Sequence, residues 1–139
     1  MHLSLYVSAC GTRLTASLTG PVSYADRRRA LDVVCQRAKA QGIDRYLIDF
    51  TLAWHSLGTP EEKASFFHVL REHHDLAGAR IAYLNCPEGN IAELRAAASE
   101  LGFTAGIFGD RSAAIDWLQR DDQIVRTRPL AFGRRAQLR

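Results

Sequence analysis

The chain has 139 residues, of which 47% are apolar and 24% are charged, as is typical of a globular protein with one hydrophobic core. No apolar run approaches the roughly 20 residues that a membrane-spanning helix needs. The net charge of +3 arises within residues 121–139, because residues 1–120 contain equal numbers of basic and acidic side chains. Since the excess charge belongs to a tail and not to a folded face, we expect no nucleic-acid partner.

The cysteines and the N-terminus indicate a reducing compartment. Cys10, Cys35 and Cys86 are widely spaced, without a C-x-x-C pair, and we expect reduced thiols. The first residues alternate like a strand and lack the positive leader of a signal peptide, so a cytoplasmic protein is predicted. The sequence has no G-x-G-x-x-G motif and no P-loop, and we expect neither a cofactor nor a metal.

The first two elements are predicted to form an antiparallel hairpin. Apolar and polar residues alternate over 2–8 and again over 13–19, and Cys10-Gly11 lies between the two runs. This pattern is typical of two strands with one buried and one polar face.

The first helix is predicted to begin after Ser23, with Asp26 as its capping-box partner, and to end at Gly42. Its apolar stripe consists of Leu31, Val34, Cys35 and Ala38. The arginine run 27–29 could be a patch that faces a partner or a solvated helix face, and we favour the solvated face.

The segment 45–62 is the centre of the prediction. Its apolar start predicts a buried strand over about 45–50, with Asp49 near the carboxyl end. A loop is predicted to follow, and then a helix over about 60–76 that Thr59 caps. Ligands of α/β domains usually bind beyond the carboxyl ends of the strands, so the 51–62 loop is the candidate site.

The remaining elements follow the same alternation. We predict a strand at 80–85, a helix capped by Asn90, a short strand at 103–108, and a last helix that starts at Asp110 or Ser112. Beyond residue 121 the apolar periodicity is lost, and a flexible basic tail is predicted over 121–139.

The order ββαβαβαβα predicts an α/β domain over residues 1–120 with a single mixed five-stranded sheet. Right-handed crossovers would place the helices mainly on one face. The other face would show the outward row of the hairpin (Ser4, Tyr6, Ser8, Thr15 and Ser17) and would be solvated or covered by a partner. Because this row is short and weakly charged and the first strand has a free edge, we also predict a two-fold homodimer that pairs edge to edge or face to face.

Three phrases resemble the bacterial STAS/SpoIIAA-like domain family: GPVSYAD (20–26), YLIDF (46–50) and GIFGDRSAAIDWL (106–118). In STAS antagonists of anti-sigma factors, the loop after this strand contains Asp-Ser-x-Gly with a phosphorylatable serine. Here Ser56-Leu57-Gly58 lies at that place and is preceded by His55. The resemblance therefore makes Ser56 the phosphorylation candidate, with Thr59 second. The alternative is that Ser56 makes a turn hydrogen bond only. Related domains also serve as lipid-associated or transporter-attached modules.

The candidate contact residues are Asp49, Trp54, His55, Ser56 and Thr59. Asp49 is expected to accept hydrogen bonds from loop amides. Trp54 either fills the edge of the core, which we favour, or lies exposed as a contact residue.

The predicted function is a non-enzymatic regulatory or protein-interaction module that contacts its partner through the 51–62 loop. The alternative is a domain that binds a small ligand or lipid in an apolar pocket near Trp54, Phe66 and Phe67. No catalytic motif was found; Ser56, for example, is not within the G-x-S-x-G turn of a serine hydrolase.

Overall fold

The computed structural model describes residues 1–56, 58–86 and 91–120. The strands are β1 (His2–Val7), β2 (Leu14–Val22), β3 (Arg45–His55), β4 (Arg80–Leu84) and β5 (Thr104–Phe108). The helices are α1 (Tyr24–Gln41), α2 (Pro60–Arg71), α3 (Ile91–Leu101) and α4 (Arg111–Gln119). The predicted tail and the predicted cap Asn90 lie outside the described residues.

The described strands form one five-stranded sheet in the order β1-β2-β3-β4-β5. β1 pairs with β2 in antiparallel orientation, and the other three pairs are parallel. This arrangement confirms the predicted fold class, a mixed sheet with the order ββαβαβαβα. None of the described helices is long and apolar enough to cross a membrane.

The helix starts follow from local sequence chemistry. The Ser23 hydroxyl accepts a hydrogen bond from the Asp26 amide, and the Asp26 carboxylate accepts one from the Ser23 amide, both at 3.0 Å. Thr59 and Glu62 form the same reciprocal pair at the start of α2. Because the first amides of a helix have no partner within it, these caps fix where each helix begins.

Two predicted boundaries in the central segment were wrong. β3 continues to His55 instead of ending near Phe50, so residues 51–55 of the predicted 51–62 loop are strand. α2 ends at Arg71, and a separate 3₁₀ turn, His74–Leu76, follows it. The physical reason for the longer strand is that β2 continues to pair with β3 beyond the point where β4 ends.

The sheet has a main core on one face and a smaller core on the other. Helices α1, α2 and α3 cover the first face, where Leu14, Tyr46, Phe67 and Leu70 are buried. On the opposite face α4 buries Leu47, Ala82 and Leu84 with its own Ala114 and Leu118. The helices thus lie mainly on one face, as predicted, and α4 covers only part of the second face, which we call the open face.

Two arginines of the sheet hold the end of α4. Arg45 donates to the carbonyls of Leu118 and Arg120, and Arg80 donates to the carbonyl of Trp117 at 2.6 Å. The Arg80 guanidinium also lies 4.9 Å from the centre of the Trp117 ring. Cations at the C-terminus of a helix stabilise it through the unsatisfied carbonyls and the helix dipole.

Close packing under α4 explains the glycine in β5. A Cβ atom on Gly106 would lie 2.7 Å from the Phe108 ring and 3.1 Å from the Trp117 ring. Since no side chain tolerates the shorter distance without displacing its neighbour, glycine allows the two aromatic rings to lie against β5.

The capping box of α1 provides a test of the fold. Ser23→Ala removes the cap of the longest described helix and should lower the free energy of unfolding by about 1 kcal/mol. For a domain of this size that corresponds to a melting temperature lower by roughly 3–6 °C. Ser65→Ala, at an exposed position within α2, is the control and should change the melting temperature little. Equal melting temperatures for the two variants would show that the cap does not stabilise the domain.

Candidate functional site

The predicted site residues lie along the carboxyl end of β3, on two different faces of the sheet. A β-bulge causes the separation: Ser17 of β2 lies opposite Asp49, whereas Thr19 lies opposite Leu52, so β3 contains one additional residue. Side chains alternate between faces with a period of two, and one inserted residue therefore reverses which face the following side chains occupy. After the bulge, Leu52 and Trp54 face away from the main core.

Trp54 is exposed on the open face of the sheet. It lies opposite Pro21 on β2, two residues from Leu52, which lies opposite Thr19. The exposed fractions are 62% for Trp54 and 70% for Leu52. The expectation that Trp54 lies in a loop and fills the edge of the core was therefore wrong, because the bulge directs its side chain to the open face. We call Thr19, Pro21, Leu52 and Trp54 the open-face patch.

Asp49 lies beside this patch in a network of hydrogen bonds. Its Oδ1 accepts from the amide of Thr51 at 2.8 Å and from the hydroxyl of Thr51 at 2.5 Å. Its Oδ2 accepts from Arg111 Nη1 at 2.7 Å, and Arg111 also donates to the hydroxyl of Tyr6. Asn85, in a left-handed conformation (φ 57°), donates to the Thr51 hydroxyl at 2.8 Å. The network connects β1, β3, β4 and α4.

His55 faces the helix-covered side and contacts Tyr24. The two ring centroids are 4.9 Å apart in an edge-to-face arrangement. Burial, together with the positive charges of Arg27 and Lys63, lowers the pKa of His55 below its ordinary value of 6.5. Its imidazole is consequently neutral at pH 7.

The two phosphorylation candidates have different structural roles. The Thr59 hydroxyl accepts a hydrogen bond from the Glu62 amide at 3.1 Å and caps α2. Ser56 is partly buried directly after β3, and its amide donates to the Val22 carbonyl at 2.9 Å. Modification of Thr59 would remove a helix cap, so Ser56 remains the better candidate.

An apolar cavity of about 70 Å³ lies between the sheet and helices α1, α2 and α3. Phe66 lines it, together with Phe50, Leu70 and Tyr83. The predicted pocket near Trp54, Phe66 and Phe67 is not formed by those three residues, because Trp54 lies on the opposite face of the sheet. The described cavity-lining residues include one charged side chain, Arg27.

The cysteines line no common site. Cys10 is exposed in the β1–β2 connection, where hydrogen bonds with the hydroxyls of Ser8 and Thr12 lower the pKa of its thiol to about 7. Burial raises the pKa of the Cys35 thiol to about 12, and it also raises the pKa of Cys86. Within the described ranges, no three metal-binding side chains lie close enough to hold an ion.

Comparison with known proteins places this geometry in a fold. No protein-family model and no curated protein matches the sequence. A solved structure of the anti-sigma factor antagonist SpoIIAA in its unphosphorylated form matches with a TM-score of 0.56 and 14% identity, over 85% of this chain and 98% of that one. The chain has a SpoIIAA-like fold. The resemblance seen in the sequence is thus confirmed at the level of the fold.

A second solved structure shows the same fold. It is an uncharacterized protein of the DUF3478 family with a SpoIIAA-like fold, from Shewanella loihica PV-4. It matches with a TM-score of 0.51 and 22% identity, and the match covers 84% of this chain and 92% of that one.

Sequence reasoning missed the burial of one charged residue on the helix side of the sheet. Arg27 is buried and not solvated, so the interpretation of the run 27–29 was wrong for this residue, whereas Arg28 and Arg29 are exposed. The signal was present in the helical spacing. Arg27 precedes Leu31 by four residues and Val34 by seven, which places it on the apolar stripe.

The neutral state of His55 can be tested by NMR. Because its pKa is lowered in the folded domain, the unfolded chain binds more protons between the folded value and 6.5. His55 therefore contributes stability above pH 6.5, and this contribution is lost as the pH falls through that window. We expect the His55 imidazole to titrate with a midpoint below 6.5.

The cause of that shift can be tested by substitution. Arg27→Met removes a nearby positive charge and should raise the His55 midpoint, whereas Arg28→Met, at an exposed position on the same helix, should leave it unchanged. A midpoint at or above 6.5 in the wild-type protein would contradict the assignment.

Proposed function

We propose that this STAS/SpoIIAA-like domain is a non-enzymatic regulatory module that binds a protein partner through the open-face patch. The observation that supports the proposal is the exposure of Leu52 and Trp54, side by side on one strand of the sheet. Burying a tryptophan in a partner provides a large part of the binding energy at many interfaces. In the free domain both apolar side chains are exposed to water, which is unfavourable. A partner that buries them would remove this cost.

The backbone geometry also suits a binding surface. The patch lies on paired strands, whose backbone hydrogen bonds hold both side chains in a defined orientation before a partner arrives. Preorganisation of this kind lowers the entropy lost on binding. Beside the patch, the outward side chains of β1 and β2 are small and uncharged at Ser4 and Ser17. A partner with an apolar centre and a neutral hydrogen-bonding rim would fit this arrangement.

The comparison supports a regulatory role. SpoIIAA, whose structure this chain resembles, is an anti-sigma factor antagonist, a protein that acts on another protein. We extend to this chain the general property of binding a protein. If Ser56 is phosphorylated, the added charge lies two residues from Trp54 and beside the neutral His55, where it would change the surface that a partner meets.

The partner surface can be tested with a photo-crosslinking residue in place of Leu52. We expect a crosslinked partner from the native host at this position, and a much lower yield from the same probe at Arg95, an exposed position on α3. With that partner purified, Trp54→Ala should weaken binding by at least 2 kcal/mol, about 30-fold, if Trp54 is a central contact.

The controls separate binding from folding. Trp54 is mostly exposed, so its alanine variant should melt within a few degrees of the wild type. Unchanged affinity in Trp54→Ala, or equal crosslinking at Leu52 and Arg95, would contradict the proposed surface.

We also propose that the domain self-associates through β1. β1 is an edge strand of the described sheet, and such edges pair readily with another strand. Two residues of the outward hairpin row are less available for a contact between copies, because Thr15 is buried and the hydroxyl of Tyr6 accepts from Arg111. Sedimentation should show a dimer at high micromolar concentration that Ser4→Lys weakens and Ser65→Lys does not. A monomer at that concentration would remove the idea.

A further inference from the structure

A buried arginine lies within the apolar layer on the helix side of the sheet. Arg27, in the first turn of α1, is 5% exposed. Its guanidinium carbon is 5.0 Å from the centre of the Phe50 ring and 5.6 Å from the centre of the Tyr24 ring. The aromatic faces stabilise the cation in part, but they provide no hydrogen-bond acceptor in the plane of the guanidinium.

The unpartnered atoms of Arg27 define the kind of group that would satisfy them. Nε and Nη2 are buried and have no hydrogen-bond partner among the described residues. Nε and Nη2 form one edge of the group, with two parallel N–H bonds. That edge matches the two oxygens of a carboxylate. A buried charge without a counterion is destabilising, and an anion would compensate it.

His55 adds a further polar atom on the same side. Its Nδ1 is buried and has no partner in the part of the chain that the structure describes. Tyr24 contacts both His55 and Arg27 through its ring. Both residues therefore contact one aromatic side chain, which begins α1 directly after β2.

The cavity described above is lined by Arg27 and by apolar side chains of the sheet and of α1, α2 and α3. Its volume of about 70 Å³ is about half of the ~150 Å³ that accommodates benzene in an engineered apolar cavity. It has room for a short aliphatic chain, on the order of three carbons by that comparison. It is too small for the acyl chain of a membrane lipid.

We propose that Arg27 forms a binding site for a small aliphatic carboxylate, with the carboxylate on its Nε–Nη2 edge and the short tail in the apolar cavity. The site lies on the opposite face of the sheet from the open-face patch and goes beyond the proposed protein contact. It requires no reaction. The ligand would compensate a buried charge and fill a space next to it.

The proposal is tested by NMR titration of the full chain with acetate, butanoate and octanoate. Amide shifts near Arg27, Ala30 and His55 should saturate with butanoate. Butanoate should bind more tightly than acetate, because its tail is buried, and octanoate should gain nothing further, because the cavity is full. Butanamide has the same tail without the charge and should bind at least ten-fold more weakly.

Matched variants assign the head group and the tail. Arg27→Met should weaken butanoate binding about ten- to hundred-fold, whereas Arg28→Met should not weaken it. Arg27→Met is expected to fold, with an equal or higher melting temperature, because it replaces an uncompensated buried cation with an apolar group. Ala30→Leu narrows the cavity and should remove the preference for butanoate over acetate while acetate binding persists.

Several outcomes would overturn the proposal. These are the absence of saturable shifts with butanoate, equal binding of butanamide, and unchanged affinity in Arg27→Met. Tighter binding of butyl phosphate than of butanoate would show that the preferred ligand is a phosphate ester and not a carboxylate. Trp54→Ala should leave butanoate affinity unchanged, so failure of the partner surface and failure of this site give different results.

Discussion

The register shift between β2 and β3 is the constraint on which both candidate surfaces depend. One additional residue in β3, after Asp49, directs Leu52 and Trp54 to the open face and His55 to the helix side. Without it, the alternation that buries Tyr46 and Phe50 would continue, and Trp54 would face the main core. The bulge therefore reverses the orientation of the side chains at the end of β3. Leu52 and Trp54 are exposed on the open face, and the neutral His55 lies on the helix side, as Arg27 does. Bulges near functional sites often redirect side chains in this way.

The charged groups on the two faces of the sheet differ in whether they have partners within the described residues. On the open face, the Asp49 carboxylate is paired with Arg111 and accepts from Thr51, and the hydrogen bonds of this network connect β1, β3, α4 and Asn85 after β4. On the helix side, the Arg27 guanidinium is surrounded by aromatic rings and retains unused donors. A paired charge contributes to the architecture, whereas an unpaired buried charge costs stability, and a bound anion would offset that cost. This contrast distinguishes the structural network from the site that we propose.

Local sequence signals were sufficient for most of the fold. Capping boxes at Ser23 and Thr59, the left-handed Gly42 and the alternating strands predicted the element order and the mixed sheet, since each signal acts within a few residues. The position of Trp54 could not be predicted, because a bulge depends on how far β2 extends beside β3. The burial of Arg27 could have been predicted, since its helical spacing places it on the apolar stripe of α1. An arginine on a helix is usually solvated, which favoured the exposed position. Burial is tolerated here because the guanidinium lies near the ring of Phe50, which is distant in the sequence.

The anchoring of α4 has a consequence for how this domain could be attached to anything else. Arg45 is the first residue of β3, and its side chain donates a hydrogen bond to the carbonyl of Arg120. The end of α4 therefore lies at the amino end of β3. The open-face patch and His55 lie at the other end of the same strand, roughly 30 Å away at about 3.3 Å per residue. A tether, a surface linkage or a fused domain joined immediately after α4 would start from the side remote from both surfaces. The fold thus places the end of α4 and the two proposed binding surfaces at opposite ends of β3.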